Sequence, residues 1–145
     1  MNLNIISFLI FSFFSSALAA AELGNLSVTQ VQTMRQNTDT LVIDVRTPKE
    51  WQSTGIIPNS HKLVFFDSNG KYDAKKWLSQ MQQLRSSPDQ PVILVCQSGN
   101  RSGRVGNFLT KQLGMKNIYH LSTGIQSWIK AGIPVTPDCN KPTCQ

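Results

Sequence analysis

Apolar positions along the chain fall into two patterns: short unbroken runs, and stretches in which they recur every three or four residues. Leu41-Val42-Ile43-Asp44-Val45 and Pro91-Val92-Ile93-Leu94-Val95-Cys96 are nearly continuous and rich in β-branched side chains; Asn37, Thr38 and Asp39 precede the first and Pro88 the second. Such runs suit strands covered on both faces, as in a parallel sheet. Ile118-Tyr119-His120-Leu121 is a further short strand. Between these runs the helical period takes over. Val28, Val31 and Met34 mark a first helix reaching about Gln36, for which Thr29 and Gln32 have capping-box spacing. Pro48 to Trp51 begin a short helical turn that Gly55 ends. Asp73 caps a helix through Trp77, Leu78, Met81 and Leu84, and Val105, Phe108, Leu109 and Leu113 mark another that stops at Gly114. Ile125, Trp128 and Ile129 form a last helix stopped by Gly132, and Trp51, Trp77 and Trp128 are assigned to the core. Strands alternating with helices predict one α/β domain on a mainly parallel central sheet flanked by helices.

The amino-terminal stretch departs from both patterns. No charged side chain precedes Glu22; Ile5 to Phe14 are apolar except for Ser7 and Ser12, and Ala17, Ala19, Ala20 and Ala21 follow. This predicts a signal peptide over residues 1–21, with cleavage after Ala17-Leu18-Ala19 or Ala19-Ala20-Ala21, although only the amino terminus supplies its positive charge. A spanning helix would need about 20 predominantly apolar residues without a small-residue end. The expectation is a periplasmic or secreted domain over residues 22–136, with a tail over 137–145 and no stable membrane anchor after cleavage.

Export makes the cysteines informative, because disulfides persist in oxidising compartments. Cys139 and Cys144 lie in a small polar tail with Pro137 and Pro142 and are expected to pair, leaving Cys96 free. No histidine neighbours the tail, and His120 lacks a second ligand at metal spacing, so neither metal nor cofactor is expected and His120 is read as hydrogen-bonded or exposed. The 145 residues carry 14 Lys+Arg against 8 Asp+Glu, a net charge of +6. Lys71, Lys75 and Lys76, then Arg101, Arg104 and Lys111, are too spread for a polybasic arm. A nucleic-acid partner is therefore not expected; the charge is read as a solvated face that favours small anions.

The candidate chemistry lies in Cys96-Gln97-Ser98-Gly99-Asn100-Arg101-Ser102, between a buried strand and a helix. The chain must reverse tightly there, which Gly99 permits, and its backbone N–H groups then converge above the helix N-terminus as an anion-binding nest. Thiolates are favoured at such sites, so Cys96 is the candidate nucleophile, with the nest, the helix dipole and Arg101 as activators. The Arg101 side chain has two places to go: toward the substrate, or toward a carboxylate such as Glu50. Asp44, Arg46 and Glu50 sit at a strand's carboxyl end and are read as ion pairs that fix the following loop. His61 and Lys62 are read as solvent-facing polar side chains, the alternative being that they attract an anionic donor.

Four segments, in order, resemble the rhodanese-like sulfurtransferase family over nearly the whole predicted mature chain. Leu41 to Trp51 is similar to the family's first signature and Gly55-Ile56-Ile57-Pro58-Asn59-Ser60 to its second. Cys96 to Ser102 is similar to its active-site loop, and Thr123-Gly124-Ile125 with Trp128 and Ala131-Gly132-Ile133-Pro134-Val135 to its carboxyl-terminal signature. The resemblance implies a rhodanese-like fold in which Cys96 takes a sulfane sulfur from a donor such as thiosulfate, carries it as a persulfide, and passes it to cyanide or a thiol. Residues Gln97, Ser98, Gly99, Asn100, Arg101 and Ser102 would line the substrate pocket. Four residues separate Cys96 from Arg101, as in the family's sulfurtransferases, whereas the related phosphatases and arsenate reductases have five. Two positions depart from the pattern: Ile56 stands where a histidine is common, and Thr123 replaces the first glycine of a common pair. A thiol-redox protein or persulfide carrier acting on partner proteins is the alternative expectation, with the tail cysteines assisting.

Overall fold

The computed structural model describes residues 20–138. The predicted leader up to Ala19 and the predicted Cys139–Cys144 pair lie outside them. The elements in chain order are β1 (Gly24–Leu26), α1 (Val28–Asn37), β2 (Leu41–Asp44), α2 (Pro48–Thr54), β3 (His61–Lys62), α3 (Ala74–Leu84), β4 (Val92–Val95), α4 (Asn100–Asn107), β5 (Ile118–Leu121) and α5 (Gly124–Lys130). All five strands are parallel, in the order β1-β5-β4-β2-β3.

Side-chain alternation divides the core between the two faces of this sheet. Leu41, Ile43, Val92, Leu94 and Ile118 pack with Trp77 and Met81 of α3 and Val105 of α4. Val42, Ile93, Val95 and Leu121 pack with Val31 of α1 and Ile125 and Trp128 of α5. β2 and β4 are buried along their whole length, which is why they read as unbroken apolar runs and not as alternating ones. The three tryptophans are core, as expected.

The structure corrects three local readings. The capping box of α1 is Ser27 with Gln30, not Thr29 with Gln32: Ser27 Oγ accepts from the Gln30 amide at 3.3 Å, and Gln30 Oε1 accepts from the Ser27 amide at 2.8 Å. Both pairs have the right spacing, but β1 ends at Leu26, so the chain already turns at Ser27. The helix read from Val105 to Leu113 starts earlier, at Asn100, and finishes as a π-helical turn over Phe108–Gln112. β1 and β3, of three and two residues, were not expected; neither is long enough to show a period.

Candidate active site

The order of the strands creates a crevice. From the carboxyl end of β2 the chain leaves through α2 toward β3 on one side; from β4 it leaves through α4 toward β5 on the other. Such a divergence opens the space above adjacent strands where α/β sheets bind ligands. Cys96, immediately after β4, and Asp44 and Arg46, at the end of β2, stand at this place.

Cys96 is 1% exposed. The loop beyond it turns on Gly99, whose φ of 94° is left-handed. A Cβ there would lie 1.9 Å from the Ser122 carbonyl oxygen, so both the dihedral and the space call for glycine. This turn aims the Gly99 amide at Cys96 Sγ, 3.1 Å away. The amides of Asn100, Arg101 and Ser102, in the first turn of α4, precede its first intrahelical donor, the Gly103 amide, which bonds the Gly99 carbonyl at 2.9 Å, and lie on the same positive helix end. Ser102 Oγ lies 3.3 Å from the sulfur, 3.2 Å from the Gly99 carbonyl and 3.2 Å from His120 Nδ1.

Two ion pairs brace the loop. Arg46 and Asp44 are wholly buried and joined at 2.7 Å. The remaining Arg46 donors reach Thr54 Oγ1 at 2.7 Å, the Gly55 carbonyl at 2.8 Å and Gln97 Oε1 at 3.2 Å. One guanidinium thus joins β2, α2 and the residue after the cysteine. Arg101 turns to Glu50, donating at 2.8 Å to Oε2 and also to Oε1, which decides between its two expected orientations. The bond from Arg101 holds the Glu50 carboxyl at about 2, against an ordinary 4.5; partial burial opposes this, and bonds from the Thr47 amide and hydroxyl assist. The same pairing raises the Arg101 value. Asp44, Arg46 and Glu50 are therefore structural ion-pairing groups.

A third brace comes from α5. The Ile125 amide donates to the Cys96 carbonyl at 2.8 Å and the Gln126 amide to the Gln97 carbonyl at 3.2 Å. Gly124 has φ 68°, and a Cβ there would meet the Gln97 carbonyl oxygen at 2.3 Å. Ser98 and Asn100 are exposed beside this framework. His61 and Lys62 are exposed as expected, but Lys62 is engaged: its Nζ lies 2.6 Å from Asp138 and over the Trp51 ring. His120 is the site neighbour that sequence reasoning did not attach to the loop. The signal was its two-residue spacing from Ile118, which puts both on the α4 face of β5.

The rhodanese-like domain model matches residues 27–131. The chain belongs to the rhodanese-like domain family. A protein of Allochromatium vinosum named a sulfurtransferase is 28% identical over 104 residues, spanning 72% of this chain and 85% of its own. Among solved structures, a rhodanese-related protein from Thermoplasma volcanium aligns at a TM-score of 0.59 and 28% identity, covering 79% of this chain and 99% of that one. The polysulfide-sulfur transferase homodimer of Wolinella succinogenes shares the fold at 0.62 and 22% identity over 85% of each chain. The two departures from the rhodanese signatures have local explanations. Ile56 exchanges backbone hydrogen bonds with Thr136, at 2.9 and 2.8 Å, so its backbone closes the domain whatever its side chain. Thr123 has φ −104°, which any residue adopts, while the glycine that the loop requires is retained at Gly124.

Proposed function

We propose that the protein is an exported rhodanese-type sulfurtransferase that moves a sulfane sulfur from thiosulfate or a similar anionic donor, through a Cys96 persulfide, to cyanide or a thiol. The observation that carries this reading is the 3.1 Å bond from the Gly99 amide to Cys96 Sγ, at a loop whose next three amides belong to the same helix end. In the first step the Cys96 thiolate attacks the outer sulfur of thiosulfate, a sulfur–sulfur bond forms, and sulfite departs with the electron pair of the bond that breaks. In the second, the acceptor attacks the outer sulfur of the persulfide anion; that sulfur leaves as thiocyanate when cyanide is the acceptor, and the thiolate is restored. The nest stabilises the anionic sulfur in both halves, which is how a covalent intermediate divides one hard transfer into two easier ones. Because Arg101 is engaged by Glu50, backbone amides are the principal partners of the anionic donor. This scheme uses no cofactor, metal or nucleic acid.

Intact mass of the mature protein before and after thiosulfate, with cyanide last, tests the reading. A gain of about one sulfur that cyanide reverses is the expected result, and Cys96→Ala is expected to abolish it while leaving the fold intact. The same spectrum reports leader cleavage. Turnover retained by Cys96→Ala would sink the mechanism.

One observation favours thiol exchange with partner proteins as a second reading. Asp138, which precedes Cys139, is held by Lys62, and Lys62 is in register with Asp44 at the carboxyl end of β2; the tail therefore starts on the side of the sheet that carries Cys96. Unchanged activity in Cys139→Ser with Cys144→Ser removes that role from the tail.

A further inference from the structure

We propose that His120, acting through the Ser102 hydroxyl, accepts the proton of the Cys96 thiol and so prepares the thiolate for attack. This rests on the reading of Cys96 as the nucleophile, and adds to it a positioning residue on a different strand.

The hydrogen bonds give the relay a direction. A neutral imidazole has one N–H and one lone pair. His120 Nε2 lies 2.7 Å from Asn25 Oδ1, an acceptor, so the hydrogen belongs on Nε2 and the lone pair on Nδ1. Ser102 Oγ has one hydrogen and two acceptors for it, the Gly99 carbonyl and Nδ1, each at 3.2 Å; in the rotamer that donates to the ring it keeps its lone pairs for Cys96 Sγ at 3.3 Å. In the transfer, the Cys96 S–H bond breaks as an O–H bond forms at Ser102, and the original Ser102 O–H bond breaks as an N–H bond forms at Nδ1. No group is oxidised or reduced and the site's net charge does not change. Afterwards the imidazolium donates to Asn25 and to Ser102, and Ser102 exchanges the Gly99 carbonyl for the thiolate as its acceptor.

Packing keeps the relay in register. His120 is 6% exposed. α4 crosses it at Gly103, where a Cβ would lie 3.3 Å from the imidazole Cε1, so no side chain separates helix from ring. Burial lowers the His120 value below the ordinary one, with the Gly99 carbonyl opposing; the ring is therefore neutral at rest, and since the same burial disfavours the imidazolium, it is the thiolate formed beside it that stabilises the transferred proton. The surrounding elements leave it no other ionic partner. β1 and β4 contribute no ionisable side chain. On α4, Arg101 is bound to Glu50 and Arg104 lies over the Phe66 ring at 4.6 Å. Asp44 and Arg46 bind one another, and Lys130 is exposed at the last turn of α5.

Site-resolved alkylation of Cys96 by iodoacetamide, read by peptide mass, tests this without a sulfur donor, so its outcome is independent of whether thiosulfate is a substrate. Near pH 6 the wild-type protein is expected to react about tenfold faster than His120→Gln or Ser102→Ala, and the gap to close as pH rises and hydroxide can take the proton in place of the relay. Coincident pH profiles for wild type and either variant, with native near-UV circular dichroism, overturn the proposal. A second measurement needs no substitution: the ring-nitrogen NMR titration of His120 in the wild-type protein is expected to shift once Cys96 is alkylated. A titration indifferent to alkylation also overturns it.

Discussion

At the scale of single residues, two arginines in one loop neighbourhood do different work. Arg46 is fully buried with Asp44 and ties the Thr54 and Gln97 side chains and the Gly55 carbonyl to the end of β2, whereas Arg101 shares a partly exposed pair with Glu50. Their pH behaviour follows. Glu50 ionises in the folded protein at about 2 against an ordinary 4.5, so its contribution to stability is complete above the higher value and is lost as pH falls through the lower. Glu50→Gln is therefore expected to be less stable than wild type at neutral pH, with the difference shrinking below about pH 4.5 as the wild-type carboxyl takes up its proton. Urea unfolding at several pH values measures this; a difference constant with pH would mean that the pair acts through packing alone. The modest exposure of both side chains keeps the effect small, since solvent screens such a pair.

At the scale of elements, what the sequence made legible depended on burial and length. β2 and β4 were readable because fully covered parallel strands are nearly continuous apolar runs, and α3 because Asp73 caps it, its Oδ1 accepting from the Lys76 amide at 3.0 Å. β1 and β3 were not, being stabilised by pairing with β5 and β2 rather than by any pattern of their own. The same division holds for the site. Cys96, Gly99 and the ion-pairing roles of Asp44, Arg46 and Glu50 could be read from order along the chain, but the choice of Glu50 by Arg101 and the bonds from α5 to the loop and from β5 to Ser102 join residues distant in sequence, and only the fold brings them together. Gly124→Ala tests the α5 brace: forcing a Cβ onto φ 68° and into the Gln97 carbonyl is expected to cost about 1–3 kcal/mol in denaturant unfolding. It should also slow persulfide formation, because the clash falls on the loop itself.

At the scale of the whole molecule, no helix among the described residues is long and apolar enough to cross a membrane. The net charge of +6 surrounds a site whose own two arginines are each matched by a carboxylate, so attraction of an anionic donor comes from the general field more than from a dedicated cation. kcat/KM for thiosulfate is accordingly expected to fall as salt rises, screening acting within about 10 Å at 0.1 M; a value independent of ionic strength would locate all recognition in the loop amides. The way α5 grips the loop bears on how this protein can change. Since Cys96 and Gln97 are held by their carbonyls, and the exposed Ser98 and Asn100 take no side-chain part in the grip, the outer rim of the loop can be rewritten at those two positions without disturbing the framework beneath, so that under the proposed function selectivity and reactivity are free to evolve separately.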